Sequence, residues 1–112
     1  MTGESVGADL LVEAVARRPT WNISARAFDV LARMCLTALD KPNGDNPGRL
    51  YFGGWIPLAM MLGYDAPNEG EPLAKNSEEA VRRAIKELTD AGLIKRLDDQ
   101  SNYRFTAYQI TM

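Results

Sequence analysis

The sequence predicts a single α+β domain: a three-helix core with a small antiparallel sheet, plus a short N-terminal helix. Three observations carry this. Apolar residues recur at helical spacing over 77–91 and stop at Gly92. Two runs rich in β-formers, 93–97 and 103–111, flank a polar turn. A second helical stripe runs over 25–39. At 112 residues, with 46% hydrophobic and 25% charged residues, the chain suits one globular domain that buries a core without staples.

Residues 1–8 read as a tail. Residues 9–18 (DLLVEAVARR) form a short helix with Leu11, Val12 and Val15 inward, ended by Pro19. Its acids come early and its arginines late, which suits the helix dipole. Ser24 caps the next helix, Ala25 to Leu39, and Ile23 can staple to Phe28. Phe28, Leu31, Ala32, Cys35, Leu36 and Leu39 make its expected inner stripe. Residues 40–49 (DKPNGDNPGR) are a loop. Residues 49–52 (RLYF) are a brief strand bounded by Gly53 and Gly54.

Residues 55–62 (WIPLAMML) predict a short, well-buried helix, with Pro57 in its first turn and Gly63 as its stop. Its apolar run and the Met60–Met61 pair read as core rather than a cofactor box. Residues 64–75 are a polar loop. The helix from Ser77 to Ala91 is capped by Asn76 or Ser77, with Glu79 at the capping-box position from Asn76. Val81, Ala84, Ile85 and Leu88 point inward. Residues 98–102 supply turn chemistry before the return strand. The break in alternation between Phe105 and Tyr108 suggests a bulge or the end of pairing.

The chain has one cysteine, Cys35, and no histidine. Histidine catalysis, most zinc sites and an internal disulfide are therefore excluded. Cys35 is expected to be a buried hydrophobe, and a reducing, cytoplasmic setting fits. No run approaches the ~18 apolar residues of a membrane span, and no signal peptide is visible. No nucleophile, base or phosphate loop stands out, so no enzyme activity, cofactor or metal is expected.

Basic residues concentrate late in the chain. The outward face of the 77–91 helix centres on Glu79, Arg83, Lys86 and Asp90, with Arg82 on its flank. Over residues 75–96 six basic and four acidic residues give a net +2, so the rest carries -4 of the chain's total of -2. Arginine can bond guanine edges in a major groove, and lysine a base edge or phosphate. Asn76 and Ser77, at a helix start, could hold a phosphate. Lys95, Arg96 and Arg104 lie on the hairpin, where phosphate or minor-groove contacts are expected. The alternative is a solvated face, with Glu79 and Arg83 paired along the helix, that serves protein contacts.

The order of elements resembles the winged helix-turn-helix superfamily over residues 21–112, with residues 1–20 as tail and short helix. The segment AVRRAIKELTDAGLIKRL is similar to a recognition helix running into a wing, and ISARAFDVLARMCLTALD to a first helix. The chain also looks like small winged-helix proteins of phages and plasmids of high-GC bacteria. The resemblance implies binding of double-stranded DNA in transcription or replication control. Lys75, Asn76, Ser77, Arg82, Arg83 and Lys86 would be groove or phosphate contacts, and Lys95, Arg96 and Arg104 wing contacts. Two departures stand out: the linker 63–76 exceeds a compact turn, and the overall charge is acidic. A homodimer is expected, and the N-terminal helix is either a dimer element or packed on its own domain. Binding of a partner protein is the alternative.

Overall fold

A computed structural model describes residues 8–38, 49–51, 53–97 and 107–112. The order is α1 (Ala8–Arg17), a 3-10 turn (Arg18–Thr20), α2 (Ala25–Thr37), β1 (Leu50–Tyr51), α3 (Ile56–Met61), α4 (Lys75–Asp90), β2 (Ile94–Leu97) and β3 (Ala107–Ile110). The strands form one antiparallel sheet in the order β1-β3-β2. Leu50 faces Gln109 and Tyr51 faces Tyr108 on one side of β3, while Ile94 faces Ile110 and Leu97 faces Ala107 on the other. The expected loop 40–48, the turn 98–102 and the break after Phe105 lie outside the described residues, as do Leu39 and Phe52.

Helix α2 is the centre of the core. Ser24 caps it as expected, its Oγ accepting the Ala27 N–H at 3.1 Å. Of the expected inner stripe, Leu31, Ala32 and Cys35 are buried and Phe28 packs against the core, but the buried side extends beyond it. Ala27, Val30, Leu31, Ala32, Met34 and Cys35 are buried, while Leu36 is exposed. Helix α2 packs against α1, α3 and α4, so its buried arc is wider than a single stripe. Helix α1 is rotated from expectation: Leu10 and Ala14 enter the core and Leu11 packs at its edge as expected, but Val12 and Val15 are 69% and 58% exposed. A four-residue step between two inward positions was enough to fasten the helix, and the sequence offered two such sets. Pro19 does not end α1 directly; the helix stops at Arg17 and Pro19 sits in the 3-10 turn.

Helix α3 carries Pro57 in its first turn, where no intrahelical N–H partner is lost. Leu58 and Ala59 are buried, but Ile56, Met60 and Met61 are exposed. The expected short helix is present, but its burial is confined to one face, the one that meets α2 and α4.

The glycines before α3 serve the aromatic side chains. The Tyr51 hydroxyl donates to the Gly54 carbonyl at 2.6 Å, and a Cβ at Gly53 would lie 3.0 Å from that hydroxyl. Trp55 Nε1 donates to the Tyr108 hydroxyl at 3.2 Å, which ties the start of α3 to the sheet. Burial pushes the Tyr51 phenol up from 10.0 to about 12; Arg33 opposes this and Tyr108 adds to it. The folded chain thus keeps a proton that the unfolded chain releases above pH 10. Stability is full below pH 10 and falls as pH rises toward 12, by about 2–3 kcal/mol in all. Urea unfolding on both sides of this window should show the decline, and Tyr51→Phe should flatten it. An equal decline in the variant would assign the effect elsewhere.

Candidate nucleic-acid interface

Helix α4 presents the charged residues. Ser77, Val81, Ala84 and Leu88 are its buried side, and they hold it on α2 and α3. Its end matches the expected glycine stop. Gly92 has φ +76°, its N–H donates to the Thr89 carbonyl, and the Leu93 N–H donates to the Leu88 carbonyl, both at 3.0 Å. That is a Schellman ending, with buried Leu93 closing over Leu88. It delivers the chain into β2.

The start of α4 differs from expectation. The N-cap is Ala74, with no side-chain cap, and Lys75 is already helical. Asn76 and Ser77 therefore lie inside the first turn. Asn76 is exposed, but Ser77 is 3% exposed and belongs to the buried side of the helix, so its side chain does not face a groove. Glu79 does not close a capping box, because its carboxylate accepts from Arg82.

The pairing of charges along α4 also differs. The sequence suggested Glu79 with Arg83. Instead Arg82 bonds Glu79 at 3.1 Å and Glu78 at 3.3 Å, with its guanidinium 5.7 Å from the Trp55 ring centre. Arg82 leans toward α3 because Trp55 offers it a π face there. Lys86 bonds Asp90 at 2.9 Å. Arg83, on the other flank, makes no ion pair among the described residues. The helix is electrically balanced: Lys75, Arg82, Arg83 and Lys86 against Glu78, Glu79, Glu87 and Asp90. The local excess of +2 comes from Lys95 and Arg96 on β2. Both of these are exposed although they are successive strand residues, because β2 is an edge strand. Arg104 lies outside the described residues.

A groove of about 480 Å³ opens between the start of α2 and α4. Ser24, Arg26, Tyr64, Asn76, Arg83 and Glu87 are among its lining residues. Glu87 is held there: its carboxylate accepts from the Ser24 N–H and, at 2.9 Å, from the Ser24 hydroxyl. The Arg26 guanidinium lies 5.9 Å from the centre of the Tyr64 ring. Sequence reasoning missed Arg26 and Tyr64. No spacing connects residues 26, 64 and 83; the packing of α2 on α4, with the segment after α3 beside them, does.

Comparison with protein-family models, with curated proteins and with solved structures gave no match. No helix among the described residues is long and apolar enough to cross a membrane.

Proposed function

We propose that this chain is a DNA-binding protein of the winged helix-turn-helix type, acting in the control of transcription or replication. The observation that carries the proposal is the arrangement of α4 and the sheet. Helix, strand, two helices and two strands follow in that order, and β3 lies between β1 and β2. This leaves the charged side of α4 and the Lys95–Arg96 edge of β2 uncovered and consecutive in the chain. Helix α4 would enter the major groove, with Lys75, Asn76, Arg82, Arg83 and Lys86 as its candidate contacts. The β2–β3 pair would serve as the wing. Val12 and Val15, exposed on α1, support a role for that helix in pairing two copies. A cytoplasmic location follows from this function.

The test is a binding curve with duplex DNA over a salt series. Arg83→Ala and Lys86→Ala should weaken binding at low salt and flatten the slope of log affinity against log salt. If both leave affinity unchanged at low salt, DNA binding through α4 is lost.

One observation favours a second reading, in which the domain docks a partner protein. Helix α4 has no net charge, and the neighbouring α3 exposes Ile56, Met60 and Met61. A protein partner predicts a shallower salt slope and sensitivity to changes at Met60 instead.

A further inference from the structure

We infer that the groove between α2 and α4 clamps a backbone phosphate, with Arg26 and Arg83 as the two jaws. This rests on the DNA-binding proposal and extends the contact surface beyond α4 to the first turn of α2. The uncommitted side chains in the groove are donors. Among the described residues neither Arg26 nor Arg83 makes an ion pair. Of the two carboxylates that line the same groove, Glu79 is paired with Arg82 outside it, and Glu87 is held on the groove wall by the Ser24 N–H and hydroxyl. The Asn76 amide and the Tyr64 hydroxyl add further donor capacity at the rim.

The geometry suits an oxyanion with two accepting oxygens, and on the DNA-binding proposal that oxyanion is a backbone phosphate. A guanidinium resting on a tyrosine face keeps its N–H edge available, and that edge matches two phosphate oxygens. The groove is open, with room for a phosphate still attached to its sugars. Arg83 projects from the α2 flank of α4, so a duplex seated on α4 would carry its backbone past this groove. Sequence is not read here; the clamp sets register.

The experiment uses the full chain and a fluorescein-labelled mixed-sequence duplex, followed by anisotropy over a salt series. Arg26→Ala should flatten the log–log slope by about 0.9, equivalent to one phosphate contact. Over a fourfold rise in salt the variant should then lose about 3.5-fold less affinity than wild type. Arg26→Lys should restore the slope but not the full affinity, because a point charge replaces a fork. Unchanged urea midpoints will show that the variants are folded, and Arg26→Gln replaces any that is not.

A wild-type slope in Arg26→Ala, beside a flattened slope in Lys95→Ala, overturns the clamp and leaves DNA binding standing. Absence of duplex binding by the wild type at low salt overturns both. In a third arm, inorganic phosphate alone is titrated while the Arg26, Tyr64 and Arg83 side-chain resonances are followed. Resonances that move with inorganic phosphate but not with duplex overturn the backbone clamp in favour of a free phosphoryl ligand. Movement of the same resonances with duplex supports it.

Discussion

Leu88→Ala is expected to lower stability by about 2–5 kcal/mol, whereas Val15→Ala should change it by less than about 0.5 kcal/mol. Both truncate a branched apolar side chain on an amphipathic helix, and the sequence alone predicts both as inward-facing. The structure separates them. Leu88 is fully buried in the cluster that joins α2, α4 and the sheet, while Val15 is 58% exposed. Leu88 also closes the end of α4. Its carbonyl takes the Leu93 N–H, and the Leu93 side chain is buried beside it. Truncation at 88 therefore leaves a cavity where the helix hands the chain to β2, and neither neighbour can collapse without moving the other. Urea unfolding should show a lower midpoint with an unchanged m-value. A loss at Leu88 below about 1 kcal/mol, or a loss at Val15 of similar size to that at Leu88, would contradict this division of the core.

The same contrast shows what the sequence could and could not disclose. Helix α4 was legible because its signals agree: an apolar stripe at helical spacing, a glycine with left-handed φ just past its end, and strand formers after it. The inner face of α1 was not legible. Its apolar positions are dense enough that Val12 and Val15 beside Leu11 made as good a stripe as Leu10 and Ala14, and only contact with α2 selects between them. Alanine and methionine hid part of the buried face of α2 in the same way, though Leu31, Ala32 and Cys35 were legible. Ala27 and Met34 are fully buried, but Ala27 is small enough, and Met34 flexible enough, to read as filler. The start of α4 was missed for another reason. Asn76 and Ser77 are good caps, yet extending the helix to Lys75 places Ser77 on the buried side with Val81 and Ala84.

The candidate site divides along the same line. The residues on one element, Arg82, Arg83 and Lys86, could be assigned to the outward side of a helix from spacing alone. Which carboxylate each would meet could not, because partners at three and four residues are near-equal neighbours on a helix surface. Trp55 decides this for Arg82 by drawing its guanidinium toward α3. The groove could not be foreseen at all, since its arginines lie 57 positions apart in the chain and share no local pattern.

The pairing of Lys86 with Asp90 leads to the largest expected effect on function. Asp90→Asn should raise affinity for duplex DNA about tenfold at low salt and steepen the log–log salt slope by about 0.9. The ion pair contributes little to the fold. Both side chains are well exposed, at 76% and 63%, and such pairs are worth at most a few tenths of a kcal/mol. The order is also unfavourable: an acid as the last residue of α4 opposes the helix dipole, and a lysine preceding an acid by four is the weaker orientation. Removing the charge at 90 should therefore leave stability unchanged or slightly higher. At a DNA surface the balance differs. Asp90 repels phosphate and holds Lys86 at 2.9 Å, so neutralisation both removes a repulsion and frees a cation. A hydrogen bond to a charged group gains about 1.5–3 kcal/mol, and about 1.4 kcal/mol is tenfold in affinity. Glu79→Gln should have a smaller effect, because Arg82 keeps Glu78 at 3.3 Å. Anisotropy titrations of the two variants against wild type measure both slopes. If Asp90→Asn leaves duplex affinity unchanged, the outward side of α4 does not meet phosphate, and the balanced charge of the helix belongs to a protein interface instead.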